Sequence, residues 1–205
     1  MQILNVFQSN LFRGTLKTVK KNATHYYAYV EHPTEKWRVY LRTAIFIHTT
    51  NNPKRFIVVK ETNKDIHAAA WEPPKGRVEK KDGINENIGI IDVLSRGVIR
   101  EIEEESRITH IKKMTYTGLV FQGQEPDYPA NHFFQYHIFR IMTTDDEVNK
   151  SFELYKWYEQ HPKAFKRLNE SRREKDAVDW FKPGKTKLNP RWSPNIVVLY
   201  LHYRQ

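Results

Sequence analysis

Glu101, Glu104 and Glu105 put three carboxylates within a single helical turn, directly after Arg100, in the run Arg100-Glu101-Ile102-Glu103-Glu104-Glu105-Ser106-Arg107-Ile108. Positions i, i+3 and i+4 share one face of a helix. Like charges at that spacing repel by roughly 0.2–0.5 kcal/mol per pair, so a chain that keeps them needs a reason. Two readings of the run stand: a solvated acidic face, or a cluster of hard oxygen donors of the kind that suits Mg²⁺ or Mn²⁺. Both commit the segment to helix. Asp92 is the expected N-cap, and Val93, Gly97 and Ile102 are the residues expected to face a core.

The upstream stretch Trp71-Glu72-Pro73-Pro74-Lys75-Gly76-Arg77-Val78-Glu79 adds a second element. Taken with Arg100–Ile108, it resembles the signature of the Nudix hydrolases, G-x5-E-x7-R-E-U-x-E-E-x-G-U with U aliphatic. Gly76 matches the first Gly. Arg100, Glu101, Ile102, Glu104, Glu105 and Ile108 match the second half of the signature. The chain departs from the pattern twice. Residues 77–99 separate Gly76 from Arg100, about ten more than the pattern has, so either Asp82 or Asp92 stands for its intermediate Glu. Arg107 replaces the Gly that ends the catalytic helix, a position where left-handed backbone is common. An Arg there carries a modest backbone cost or implies a different helix exit.

The resemblance implies an α/β fold, a Nudix-type α/β/α sandwich with a mixed central sheet, and hydrolysis of a diphosphate linkage with Mg²⁺ or Mn²⁺. It implies Glu104 and Glu105 as principal metal ligands, Glu101 as ligand or base, and Arg100 as the cation that orients Glu101. The Lys75 carbonyl would be a backbone ligand, approachable because Gly76 lacks a Cβ. Glu79 would be a further metal ligand or a solvated loop residue. Lys75, Gly76 and Arg77 are expected to contact substrate.

Alternating apolar residues predict strands at 26–30, 37–42, 43–48 and 55–60, and near Ala68–Trp71, Met114–Phe121 and Phe133–Met142. Lys80–Gly89 reads as a polar loop, residues 151–181 as helical, and Asn195–Arg204 as a helix that starts at Ser193-Pro194 and covers the sheet. A single domain over 1–205 is expected, its core at about 40–205, with an N-terminal extension before it and a loop insertion at about 80–91. The long polar segment 122–132 is of a kind often functional.

The chain contains no cysteine, which excludes disulfides and thiolate chemistry. No run approaches a membrane span and no apolar signal region opens the chain, so a soluble, intracellular, cytoplasmic protein is expected. Oligomeric state is not legible. Charge is segregated. Residues 1–60 hold ten Lys/Arg against two Asp/Glu, residues 61–149 eleven against sixteen, and residues 150–205 thirteen against six. Basic ends around an acidic centre suit a metal site fed by cationic surfaces and a polyanionic phosphate substrate, RNA included; solubility alone is the plainer reading. Lys163, Lys166, Arg167, Arg172 and Arg173 form a candidate phosphate track. Trp71, Phe121 and Tyr128 are candidates to stack on a base, with core packing favoured for the first two. His132 and His137 are more simply neutral strand histidines than acid–base groups. The favoured substrate is the 5′ cap of mRNA. Diphosphoinositol or dinucleoside polyphosphates, and a non-hydrolysing RNA-binding protein of the same fold, are the alternatives.

Overall fold

The computed structural model describes residues 2–8, 16–20, 26–83 and 88–204. Its longest strand explains its layering. In β3 (Arg38–Thr49) nearly every side chain is buried, so the strand must be covered on both faces. Val39, Leu41, Ile45 and Ile47 enter one core, while Ala44 and Phe46 enter another, as the two-residue period of a strand requires. β8 (His132–Thr143) pairs with β3 in parallel along its whole length. It divides the same way, with Phe139 and Ile141 to one side and Phe134, Tyr136 and Ile138 to the other.

β1 (Leu16–Lys20) and β2 (Tyr26–Glu31) form an antiparallel hairpin that joins β3. β7 (Lys113–Gly123) lies on the far side of β8, and the sheet order is β1-β2-β3-β8-β7. A short strand, β6 (Lys75–Arg77), pairs antiparallel with β3 beyond the end of β2. A second, three-stranded sheet runs β5 (Trp71–Glu72), β4 (Ile57–Glu61), β9 (Lys175–Trp180). Helix α1 (Ile90–Ser106) covers the first face of the mixed sheet through Val93, Leu94, Val98 and Ile102. Helix α2 (Asp145–Gln160) and the short α3 (Pro162–Lys166) follow β8. Helix α4 (Ser193–Tyr203) covers the second face through Ile196, Val197 and Tyr200. The result is the expected α/β sandwich around a mixed sheet.

Several local expectations are corrected. The strands read at 37–42 and 43–48 are one continuous strand. Residues 151–181 are not helical throughout: Lys175–Trp180 is a strand because β4 offers it a free edge, pairing Val178 with Val59 and Asp179 with Val58. Asp92 is not the N-cap; α1 starts at Ile90 after an extended Gly89, and Asp92 sits exposed in the first turn, where its charge still suits the helix dipole. The loop 80–89 contains a 3-10 turn at Lys80–Asp82, and residues 84–87 of the expected insertion lie outside the described residues. Among the described residues no helix is long and apolar enough to cross a membrane.

Among the described residues, His48 and His137 are fully buried. His48 Nε2 meets the Tyr200 hydroxyl at 2.7 Å and His137 Nδ1 meets the Tyr116 hydroxyl at 3.1 Å. Burial pushes His137 down to about 3; burial, then Arg204 and Arg140, does the same for His48. Each is therefore neutral in the fold, while the unfolded chain takes up a proton near 6.5. The fold then binds fewer protons than the unfolded chain, so stability is full above about pH 6.5 and falls as pH drops toward 3. Two such groups give a slope of about 2.7 kcal/mol per pH unit inside that window. Urea midpoints measured from pH 7.5 to 4.5 should show this slope, and His137→Leu should remove about half of it; a slope unchanged by the substitution would refute the assignment.

Candidate active site

The carboxylate turn lies on the face of α1 opposed by β6 and the Lys80–Asp82 turn. Arg100 organises it. Its Nε and Nη2 donate to the two oxygens of Asp82 at 2.9 and 3.0 Å, a bidentate fork, and Nη2 also donates to the Arg77 carbonyl at 2.9 Å. Its Nη1 donates to Glu101 Oε1 at 2.7 Å and Glu104 Oε2 at 3.1 Å, with Glu79 Oε1 at 4.0 Å. Asp82, six residues after Gly76, is thus the acid that grips Arg100, and Asp92 takes no part. Asp82 Oδ2 also accepts the Glu79 amide at 2.8 Å, which ties the loop to the helix. Gly97 makes room for it: a Cβ there would stand 3.2 Å from Asp82 Oδ2. That accounts for a glycine inside a helix, where it costs about 0.5–1 kcal/mol against alanine.

Gly76 lies directly on Glu101, and any Cβ at this position would collide with the Glu101 carboxyl group. Since Arg100 clamps that carboxyl, Gly76→Ala must displace it and leave the backbone in place. Turnover is expected to fall by about ten- to a hundredfold, with the urea midpoint nearly unchanged; unaltered kcat would show that the Glu101 position is immaterial.

Burial pushes the Glu101 carboxyl up to about 8, with Arg100 opposing and Glu105 and Glu104 reinforcing the rise. Glu105 faces a different partner. Its Oε2 accepts the Lys75 amide at 2.9 Å, and its Oε1 lies 3.1 Å from the buried Lys175 ammonium. Lys175 also pairs with Glu72, which Lys75 Nζ approaches to 2.9 Å. Burial disfavours the Glu72 anion, but Lys75 and Lys175 outweigh it and hold the carboxyl at about 2. The end of α1 is closed by α2 and by Arg107. The Tyr155 hydroxyl donates to the Glu105 carbonyl at 2.5 Å, and Ser151 Oγ donates to the Ser106 carbonyl. Arg107 adopts φ 63°, ψ 11°, so the helix exit is left-handed without a glycine. Its guanidinium donates to the carbonyls of Glu104 and Arg172, which offsets the backbone cost.

A cavity of about 350 Å³ opens over this cluster, and Lys75, Gly76, Arg77, Glu79, Arg100, Glu101 and Glu104 line it. Across it stand Arg42, Tyr136, Ser171 and Arg191. The donor chemistry fits a hard divalent ion: carboxylate oxygens of Glu79, Glu101 and Glu104 share one cavity, with a buried like-charge burden that a cation relieves. As they stand, these side chains turn toward Arg100, and no three acidic or histidine groups converge as a finished coordination set among the described residues.

Other sequence candidates fall elsewhere. Trp71 is in the core, its indole N–H donating to the Ile66 carbonyl at 3.0 Å, and does not reach the cavity. Phe121 packs near Phe134 and Trp192. Tyr128 lines the adjoining cavity. Lys166 lines a separate groove between α2, α3 and β9, away from the carboxylates, and Arg167 follows it in chain. Arg172 is engaged by Glu103 of α1, and Arg173 is exposed beside it, so the segment reaches the cavity through Glu170, Ser171 and Glu174 instead. Sequence reasoning missed Lys175, Glu72, Arg42 and Arg191. The local signal was weak: Arg42 is a cation within a long, largely apolar strand and Glu72 and Arg191 stand beside prolines, while Lys175 opens a strand that itself carries Asp176 and Asp179.

The family model of the NUDIX domain matches residues 39–197. No curated protein matches the chain. Among solved structures, similarity extends to the NUDIX domain of Shewanella oneidensis NrtR complexed with ADP ribose, with a TM-score of 0.49 at 9% identity over 80% of this chain and 88% of that one. A mutT/nudix family protein from Listeria innocua gives a TM-score of 0.41 at 13% identity, covering 80% of this chain and 91% of that one.

Proposed function

The chain belongs to the Nudix family and is a Nudix hydrolase acting on pyrophosphate bonds; from that premise we propose that it cleaves a diphosphate linkage within a polyanionic substrate, capped RNA foremost, using Mg²⁺ or Mn²⁺. One observation carries the reading. Carboxylates Glu79, Glu101 and Glu104 and the cations Arg77 and Arg191 share a single cavity. The carboxylates suit a divalent ion, and the guanidiniums suit phosphate oxygens.

Glu101, Glu104 and Glu79 would hold the ion, with the Lys75 carbonyl and Glu105 adjoining. When bound, such an ion polarises phosphoryl oxygens and acidifies an attacking water. Arg100 keeps Glu101 in place through its 2.7 Å bond to Oε1, so this carboxyl is positioned to hold or accept a proton at the reacting end. Arg77 and Arg191 would neutralise substrate phosphates as the bond breaks.

RNA is favoured over a compact substrate by the basic segments that flank the acidic middle of the sequence, and by the exposed Arg173, two residues after Ser171 of the cavity wall. The test is kcat/KM on capped RNAs of increasing length, beside dinucleoside and diphosphoinositol polyphosphates, at several salt concentrations. Activity on capped RNA is expected to rise with length. It should fall with salt at a log–log slope near −0.7 per phosphate contact. Charge reversal at Arg167 and Arg173 should reduce cleavage of long RNA and spare a cap dinucleotide. Length-independent turnover, with a small polyphosphate cleaved far faster, would reject RNA and leave the diphosphate hydrolase in place.

A further inference from the structure

Arg107 ends α1 in left-handed backbone, a conformation that a glycine adopts at less cost. The cap itself asks only for backbone: the Arg107 amide returns to the Glu103 carbonyl at 3.2 Å, and a glycine amide would do the same. The side chain is half-buried, and its Nε is buried with no hydrogen-bond partner among the described residues. Disfavoured backbone and an unmet donor in one residue point to a task beyond capping.

What the guanidinium adds is a link to a distant segment. Its Nη1 donates to the carbonyls of Glu103, at 3.3 Å, and Glu104, while its Nη2 donates to the carbonyl of Arg172. Its Cζ lies 5.5 Å from the centre of the buried Tyr155 ring of α2. Arg172 belongs to the 3-10 turn Ser171–Arg173, between α3 and β9. Glu170, Ser171 and Glu174, from this turn and its flanks, line the cavity that holds Glu101 and Glu104.

We infer that Arg107 is a positioning residue for the hydrolysis: it holds the 170–174 wall of the cavity at a set distance from the carboxylate turn. Arg107 acts through that wall and is absent from the lining itself. The inference rests on the hydrolase reading above and adds to it.

The other ties of this segment leave that task to Arg107. The Arg172 side chain pairs with Glu103, but the two are 41% and 44% exposed, and such a pair contributes little. The Thr62 hydroxyl donates to the Arg173 carbonyl, and the Thr62 amide to the Glu174 carbonyl at 2.9 Å. Both bonds fasten the segment to the residue after β4, in the second sheet. Lys175 fastens the start of β9 to Glu105. Arg107 fastens the turn before it to the helix that carries the carboxylates.

The test is Arg107→Gly, which removes the guanidinium and relaxes the backbone. Two readouts are taken on the full chain. Hydrogen exchange by NMR is expected to quicken at least about tenfold at the Arg172 and Arg173 amides, which bond to Asn169 and Glu170 at 3.0 and 2.9 Å, and to stay unchanged in β8. On the diphosphate that the parent cleaves fastest, kcat/KM should fall at least about tenfold, as misplaced cavity walls do. Glu103→Gln breaks only the exposed pair and should keep both readouts within about threefold of the parent. The inference is overturned if Arg107→Gly leaves exchange in the turn unaltered, if it quickens exchange in β8 as much, or if kcat/KM stays within about threefold. It is overturned as well if Glu103→Gln does as much as Arg107→Gly. Absence of cleavage of every diphosphate by the parent would instead sink the hydrolase reading, and the exchange rates would still report whether Arg107 holds the turn.

Discussion

Glu101→Gln and Glu104→Gln are each expected to cut kcat by at least about a hundredfold and leave the fold intact. The two carboxylates share a cavity with Glu79 and are gathered on Arg100 Nη1. Removing one charge weakens any divalent ion held there and, at Glu101, removes the group positioned to take a proton. Stability should survive for a specific reason. Burial disfavours the Glu101 anion, and Glu105 and Glu104 add like charge, so an isosteric amide relieves desolvation and repulsion as it gives up the bond to Arg100. A thermal-shift series supplies a readout apart from turnover: added Mg²⁺ or Mn²⁺ should raise the melting temperature of the parent and lose most of that effect in both variants. Near-normal kcat at saturating Mg²⁺, or an undiminished metal-induced shift, would defeat the assignment.

Lys175→Met should be the most destabilising single change in the site, by about 3–5 kcal/mol. Lys175 is 5% exposed and pairs with Glu72 and with Glu105, both buried. Its loss leaves two acids facing each other with Lys75 alone to offset them. Breaking a buried pair on one side costs more than the pair contributes, because the remaining charge stays desolvated. The double variant Lys175→Met/Glu72→Gln should recover a large part of the loss, which distinguishes charge from packing. Urea unfolding at pH 7 gives the measurement, with m unchanged if only the native state is affected. A loss below about 1 kcal/mol would show that water reaches the cluster and screens it.

These two predictions draw on different kinds of information. The Glu101–Glu105 turn was legible because helical spacing is a local rule, and three carboxylates at i, i+3 and i+4 must share a face whatever the rest of the chain does. The position six after Gly76 likewise drew attention to Asp82, though counting left Asp92 as its equal. Only the bidentate bond from Arg100 to Asp82 decided between them. Trp71 shows the converse: of its two readings, core packing was the favoured one, and the structure bears it out. An aromatic near the motif is a sound stacking candidate, but the sheet turns its ring into the core. The mixed sheet and its covering helices were implied by the resemblance and fit the alternation of strands and helices, whereas Lys175–Trp180 was read as helix because its partner edge, β4, lies more than a hundred residues earlier in the chain.

By itself, then, the sequence determined the family, the helix that carries the carboxylates, and the segregation of basic ends from an acidic middle. Each of these is a matter of residue spacing or of composition along the chain. The tertiary structure alone decided which cations meet those carboxylates and what stands across the cavity from them. Lys175 reaches Glu105 because β9 docks on β4. Arg191 reaches the cavity because Glu125, 66 residues earlier, accepts its guanidinium. Tyr27 enters because the hairpin pairs with β3 and bridges Glu79. Such partners are brought together by strand pairing across the whole chain, and no local period in the sequence encodes the distance between them.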